Sequence, residues 1–278
     1  MNDRLTTVKN LIWAVAIVIC IVAVFVGLIF AMTQKYNGET QNFTLDLGSS
    51  SNIAPATSED LDNPLSESVG IQRGELHTLN EIPDVGEGYI YNLTFLVDST
   101  FMGLRSKGLV GDNQVWATVS GSLPISSLDT SVIKFPNDGS EISPVNAAMI
   151  SKPSILVIGI GTDGLTQIDR DSFISKYDKL IKDIQSASPD TSIICMGLCS
   201  ITEDYSGVDG LNITAMSDGN DWVQLVCRDT GVWYADVSEN LGDGSGGLRA
   251  SYAESNGKTL NTEGLNLVLS YLRTHALQ

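Results

Sequence analysis

One apolar segment near the N-terminus constrains this chain more than any other feature. The 22 residues from Leu11 to Met32 contain no charged side chain. A helix rises about 1.5 Å per residue, so this segment would span roughly 30 Å, the hydrocarbon thickness of a bilayer. A cleaved signal peptide has a shorter apolar core, of roughly 7–15 residues, and ends at a small-x-small site that is absent after Met32. The segment therefore predicts an uncleaved transmembrane helix.

The basic residues around this segment predict its orientation. Arg4 and Lys9 precede it, whereas Lys35 follows it and the next basic residue is Arg73. Because Lys and Arg are retained in the cytoplasm, we expect residues 1–10 to be cytoplasmic and residues 33–278 to lie outside the cell membrane. The bilayer is then the first predicted partner, through residues 11–32.

The acidic net charge of the chain argues against nucleic acid as a partner. The formal net charge is -17, and residues 33–278 hold 14 basic and 32 acidic residues. Such a surface repels phosphate backbones and anionic lipid headgroups, so nucleic acid is not an expected partner. Acidity also keeps an exported domain soluble, and this is the simpler interpretation of the charge.

The cysteines predict neither a metal site nor a cofactor. Outside the apolar segment stand Cys195, Cys199 and Cys227, an odd number, so at least one is unpaired or pairs between chains. Cys195 falls in an apolar strand pattern typical of a core residue. A Cys199–Cys227 bridge is left open. The sequence contains no C-x-x-C pair and no His-rich cluster.

The remainder of the chain divides at about residue 88. Residues 33–87 are polar, without apolar periodicity, and predict a flexible stalk. From residue 88 the apolar patterns predict strands at 89–97, 154–160, 192–196 and 231–236. Helices are predicted from the Asp169 cap to about 188, at 220–228, and at 263–277 after a Thr262 cap. This alternation predicts one three-layer α/β/α, flavodoxin-like domain with a parallel sheet over residues 88–278.

Candidate functional residues lie in turns that follow the predicted strands, because sites in open parallel sheets form there. Ser99 follows the first strand, where its hydroxyl would be exposed and its N–H would lie at a helix N-terminus. Asp163 lies in the turn after the strand at 154–160, and residues 255–264 precede the last helix. On spacing alone, ordinary helix capping explains Asp98-Ser99-Thr100 as well as catalysis does.

Taken in this order, the three turns resemble the sequence blocks of the SGNH (GDSL) hydrolase superfamily over most of residues 88–277. The segment from Phe95 to Leu104 (FLVDSTFMGL) is similar to the block that carries the nucleophilic serine. Val115-Trp116 followed by SGSL at 120–123 is similar to the second block, whose glycine donates an oxyanion-hole N–H. The resemblance extends to the exported, membrane-anchored Gram-positive branch, through the helix ending YLRTH at 271–275.

The resemblance assigns a role to each matching position. Ser99 matches the nucleophile and Gly121 the second-block glycine. Asp163 stands at the oxyanion-hole Asn, Asn256 at the orienting Asp, and Thr259 at the catalytic His. Further candidate binding residues are Thr162 and Trp116. Trp116 is placed to line the cleft, although a Trp at the end of a strand is more often a core residue.

The substitutions at positions 163, 256 and 259 remove the catalytic base that the resemblance would imply. Thr259 cannot accept the serine proton near neutral pH. Of the two histidines, His77 falls in the predicted stalk, and His275 would lie roughly 24 Å along the last helix from Thr259. An ionised Asp163 donates no hydrogen bond and would repel an oxyanion. It could act as the base only if burial raised its pKa substantially.

Three interpretations follow from these residues. The first is a catalytically inactive SGNH-like domain that binds a cell-wall glycan, an acylated sugar or a partner membrane protein. The second is an active serine esterase or O-deacetylase that acts on cell-surface carbohydrate through Ser99 with a non-standard base. The third is a structural subunit of a membrane assembly, in which the cleft has no role.

Overall fold

The computed structural model describes residues 74–208 and 210–277. They belong to one compact unit. Among these residues no helix combines the length and the apolar character needed to cross a bilayer. The predicted transmembrane segment at 11–32, and the predicted stalk up to residue 73, lie outside the described residues.

A parallel sheet forms the centre of the domain. The strands in chain order are β1 (His77–Thr78), β2 (Leu93–Val97), β3 (Val115–Trp116), β4 (Ile133–Lys134), β5 (Glu141–Ile142), β6 (Ile155–Gly159), β7 (Ser192–Met196) and β8 (Trp233–Ala235). Six of them form the sheet, in the spatial order β1-β8-β7-β6-β2-β3, and every neighbouring pair is parallel. β4 and β5 form a separate antiparallel pair.

The central strands are buried on both faces because their sequences are continuously apolar. In β6 the last four of the five residues are fully buried, and Val157 lies opposite Phe95 of β2. Successive side chains of a strand point to opposite faces. Leu156 and Ile158 accordingly enter one hydrophobic cluster, while Val157 enters the other.

Helices cover both faces of the sheet. In chain order they are α1 (Glu87–Ile90), α2 (Gly103–Ser106), α3 (Pro144–Ser151), α4 (Arg170–Ala187), α5 (Ile213–Thr230) and α6 (Thr262–Thr274). Apolar residues of α4 and α5 fill the cluster on one face, and those of α6 fill the cluster on the other. The predicted three-layer α/β fold with a parallel sheet is thereby confirmed.

Side-chain caps fix where the long helices begin. Asp169 accepts a hydrogen bond from Ser172 N–H, as the sequence predicts. Asn261 rather than Thr262 caps α6, since its carboxamide oxygen accepts from the N–H groups of Glu263 and Gly264. Asn212 caps α5, which therefore begins seven residues before the predicted helix at 220–228.

The predicted boundary at residue 88 is too late. Leu79 N–H donates to Tyr234 O, Ile82 N–H to Thr274 O and Val85 N–H to Arg273 O, over 2.7–3.2 Å. β1 adds a parallel edge strand beside β8. Residues 77–85, which the sequence assigned to the stalk, are thus part of the folded domain.

The strand predicted at 89–97 is shorter in the structure. Residues 87–90 form the single turn α1, and Asn92 N–H donates to Tyr89 O to close a turn before β2. Gly86 precedes α1 with φ of 83°, a conformation that L side chains rarely adopt. This turn carries the chain into the sheet at Leu93.

The structure also places the three cysteines, whose pairing the sequence left open, and Trp233. Cys195, Cys199 and Cys227 are all buried free thiols, so the Cys199–Cys227 bridge does not form. Trp233 of β8 is 37% exposed, and its ring centroid lies 5.6 Å from that of His77 on the edge strand β1. Cys195 lies in the core, as predicted.

Candidate active site

Ser99 and Asp163 meet at the carboxyl-terminal edge of the sheet. Ser99 follows β2 and Asp163 follows β6, which are adjacent parallel strands. Ser99 lies in a turn closed by a hydrogen bond from Phe101 N–H to Asp98 O. The nearest helix, α2, begins only at Gly103, so Ser99 does not occupy the helix N-terminus that the sequence predicted.

Asp98 holds the two turns together from beneath. One of its carboxylate oxygens accepts from Thr100 N–H, and the other from the consecutive N–H groups of Gly161, Thr162 and Asp163, at 3.0–3.3 Å. The side chain is almost completely buried. Burial, and after it the charge of Asp163, raises the pKa of Asp98 to about 6. Sequence reasoning gave Asp98 no role beyond a possible cap.

The carboxylate of Asp163 accepts hydrogen bonds from two backbone N–H groups and from the Ser99 hydroxyl. Its Oδ2 accepts from the backbone N–H groups of Ser99, at 3.2 Å, and of Leu123, at 3.1 Å. Its Oδ1 accepts the Ser99 hydroxyl proton over 2.6 Å. Both backbone N–H groups are therefore already bound to a carboxylate of the same chain.

Lys258 completes this cluster, and sequence reasoning missed it. Its ammonium donates to Ser99 Oγ at 2.9 Å and to Asp163 Oδ1 at 2.8 Å. Both side chains of the ion pair are shielded, with 18% of Lys258 and 5% of Asp163 exposed. The only sign of this contact in the sequence is that a lysine lies between Asn256 and Thr259. Because a lysine side chain is long and flexible, that position alone does not predict its partner.

The shift in the pKa of Asp163 follows from these partners. Burial alone raises the pKa of this carboxyl group. The hydrogen bonds from Lys258 and Ser99, together with the positive charge of Lys258, outweigh burial and hold the pKa below its ordinary value. Asp163 is therefore an ionised acceptor at neutral pH.

The loop that contains Asn256 and Thr259 lies beside the Ser99 turn, and these two side chains are hydrogen-bonded to each other. Asn256 Nδ2 donates to Thr259 Oγ1 at 2.9 Å, and Asn256 Oδ1 accepts from the N–H groups of Lys258 and Thr259. Leu260 N–H donates to Thr100 O, which attaches this loop to the Ser99 turn. Asn256 and Thr259 thus form a hydrogen-bonded pair that contains no proton acceptor suited to a serine.

Neither histidine belongs to the cluster. The ring of His77 lies against Trp233 at the edge strand β1. His275 stacks on Tyr271 at the end of α6, with ring centroids 3.8 Å apart, and its Nδ1 lies 3.0 Å from Tyr271 O. Both are held in contacts remote from the Ser99 turn.

The remaining candidate residues surround the cluster without exposing a binding group to it. Gly121 N–H donates to Thr118 O, and φ of 78° turns the chain there, so that Leu123 supplies the second backbone donor instead. Trp116 is 2% exposed and packs in the core, not in the cleft. Thr162 is buried, with its N–H bound to Asp98.

The Ser99 turn follows β2 and the Asp163 turn follows β6 of the parallel sheet. This is the arrangement that the sequence resemblance implied. The fold is a three-layer α/β/α fold with a six-stranded parallel sheet. No family model and no curated protein matches the chain. Solved structures of SGNH and GDSL proteins and of esterases do match it in fold.

Three of these structures illustrate the similarity. An SGNH hydrolase from Slackia heliotrinireducens is 13% identical, with a TM-score of 0.48, and the match covers 66% of this chain and 97% of that one. A GDSL-like lipase from Parabacteroides merdae is 11% identical, with a TM-score of 0.47 and coverages of 67% and 95%. A carbohydrate esterase of family 3 from Talaromyces cellulolyticus is 15% identical, with a TM-score of 0.42 and coverages of 65% and 93%.

Proposed function

We propose that this chain is a catalytically inactive SGNH-hydrolase-like protein that is anchored in the cell membrane by residues 11–32. Its domain lies outside the membrane and has a binding or structural role at the cell envelope, toward a glycan or a partner membrane protein. One observation supports the inactivity most strongly. The Asp163 carboxylate occupies the oxyanion position and is neutralised there by Lys258.

The nucleophile lacks a base in this arrangement. A serine hydroxyl attacks an ester only when a neighbouring group accepts its proton. Lys258, as an ammonium, has three donors and no lone pair, and it occupies a lone pair of Ser99 Oγ. Asp163 does accept a hydrogen bond from the hydroxyl, but its pKa is shifted downward, which makes it a weaker base than an ordinary carboxylate.

The same carboxylate opposes the transition state. Removal of one oxyanion-hole donor typically costs about 3–4 kcal/mol of transition-state stabilisation. Here the N–H groups of Ser99 and Leu123 are both engaged by Asp163. An ester oxygen that entered this position would also face the negative charge of the carboxylate. The missing base affects the attack by Ser99, whereas the Asp163 carboxylate affects stabilisation of the oxyanion. Correction of either defect alone therefore leaves the other.

The second candidate function is an active serine esterase or O-deacetylase for cell-surface carbohydrate. The observation in its favour is that Ser99 Oγ lies within hydrogen-bond distance of two ionisable side chains, Asp163 and Lys258. Activity would require a neutral Lys258 amine and a displaced Asp163 carboxylate at the same time.

Hydrolysis of 4-nitrophenyl acetate separates the two candidates. The full-length protein in detergent micelles is compared with its Ser99→Ala variant and with a buffer blank. Inactivity predicts that both proteins match the blank. Turnover by the wild type that Ser99→Ala abolishes would establish the esterase instead.

A further inference from the structure

A cavity opens at the same edge of the sheet, beyond the Ser99 cluster. It lies after β7 and β8, between residues 198–200, the first half of α5 and the glycine-rich loop 238–248. Its volume is about 200 Å³. None of Ser99, Asp163 and Lys258 lines it. Ligands of open α/β sheets bind outside the carboxyl ends of the strands, so this position suits a binding site.

Asn220 gives the cavity its most specific polar group. The carboxamide oxygen accepts from Leu198 N–H at 3.1 Å and from the Tyr234 hydroxyl at 3.0 Å. These two bonds fix the orientation of the amide, and its two N–H donors have no hydrogen bond within the described residues. The hydroxyl-bearing side chains of Ser217 and Ser238 line the same cavity.

The opposite wall is held in place by Asp243. Its Oδ1 accepts from Ser245 N–H at 2.7 Å and from Gly247 N–H at 3.1 Å. Asp243 itself does not line the cavity. The buried side chains of Met216, Leu241 and Leu248 contribute the apolar part of the lining. Polar and apolar side chains are thus mixed in the lining, which suits a ligand that has both hydroxyl groups and an apolar face.

The lining also indicates the charge of the ligand. No lining residue is ionisable, and the chain as a whole is strongly acidic, which disfavours anions. At about 200 Å³ the cavity is smaller than the pockets of drug-sized ligands, which measure about 300–1,000 Å³, so it suits a smaller molecule. We propose that it binds a small uncharged polyhydroxylated molecule of the size of a single sugar ring. Hydroxyl groups of the ligand meet Asn220 and the serines, and its apolar face meets Met216.

Saturation-transfer NMR on the full-length protein in detergent micelles tests this proposal. The probes are glucose and N-acetylglucosamine, with acetate and tetramethylammonium as charged comparisons. We expect transfer to at least one sugar and none to the charged probes. Transfer to the charged probes alone, or to no probe, overturns the proposal. Because Ser99 does not line the cavity, Ser99→Ala leaves the result unchanged, so failure here is separate from failure of the proposed inactivity.

Three variants locate the binding. Ser217→Trp fills the cavity mouth from an exposed position on α5, whereas Ser186→Trp places the same side chain at an exposed position on α4. Asn220→Asp keeps the acceptor for Leu198 and Tyr234 but removes both donors. We expect about tenfold or greater loss of sugar affinity for Ser217→Trp and Asn220→Asp, with Ser186→Trp at the wild-type value. Equal affinity for Ser217→Trp and the wild type overturns the assignment to this cavity.

Discussion

At the scale of single residues, the site is defined by the carboxylate of one residue, Asp163. Asp163 binds two backbone N–H groups, a hydroxyl and an ammonium at once. A buried carboxylate without such partners would be costly, and here every partner belongs to the same chain. The cluster is therefore a stabilising part of the fold, and removal of its cation has consequences for stability.

Replacement of Lys258 by Met tests this role. Breaking a buried ion pair typically costs about 3–5 kcal/mol, and the partial exposure of Lys258 lowers the expectation to about 1–3 kcal/mol of unfolding free energy. Lys179→Met is the matched control, because its pair with Asp183 is exposed and such pairs are worth about 0–1 kcal/mol. Denaturant unfolding measures both. Equal losses for the two variants would contradict a structural role for the Lys258–Asp163 pair.

The raised pKa of Asp98 gives a prediction about pH. Because the folded-state pKa, about 6, exceeds the ordinary value of 3.8, this group favours the folded state most below pH 4. That contribution is lost as the pH rises toward about 6. The carboxyl ¹³C signal of Asp98 should titrate near pH 6, and at lower pH in Asp163→Asn, where the neighbouring negative charge is absent. An unchanged midpoint in the variant would exclude the charge of Asp163 as a cause.

The residue scale also shows what the sequence could predict of the site. The order of the blocks was sufficient to place Ser99, Asp163 and the 256–259 segment at one edge, because parallel strands end together. The contact of Lys258 was not predictable, since its direction depends on the turn at 256–259. The resemblance assigned the backbone donor to Gly121, but Leu123 N–H is the group that donates to Asp163. The motif could not predict this, because the direction of a backbone N–H depends on φ and ψ, which the motif does not specify.

At the scale of elements, the strongly periodic segments were predictable and the short ones were not. α4 and β6 follow from apolar patterns that no local feature contradicts. The residues of α5 before Asn220 were missed because they include Gly219, a poor helix former. Tertiary contact explains the glycine, since a Cβ at residue 219 would lie 2.9 Å from side chains of Leu165 and Leu198.

The edge strand β1 gives the prediction at this scale. A fragment of residues 88–278 lacks β1, the buried Leu79 and the Asp84 and Glu87 partners of Arg273. Burial of one leucine alone contributes about 1.5–3 kcal/mol. We expect Tm to fall by about 5–10 °C relative to a fragment of residues 67–278, measured by circular dichroism. Matching Tm values would show that β1 contributes nothing to the stability of the domain.

At the scale of the whole molecule, the membrane anchor remains a prediction from residues 11–32. The full chain should sediment with membranes and stay there in alkaline carbonate, which removes peripheral proteins. Deletion of residues 1–32 should move the chain to the soluble fraction, because the remaining chain is acidic and repels anionic lipid. Release of the full chain by carbonate would contradict the anchor.

The central claim is that Asp163 and Lys258 leave Ser99 unreactive, and labelling by a fluorophosphonate tests it most directly. This probe modifies any activated serine and does not depend on knowledge of the substrate. The full-length wild type is compared by intact mass with the triple variant Asp163→Asn, Asn256→Asp, Thr259→His, which restores the oxyanion donor and the base. The account predicts no adduct on the wild type and an adduct at Ser99 of the triple variant. An adduct at Ser99 of the wild type would contradict it.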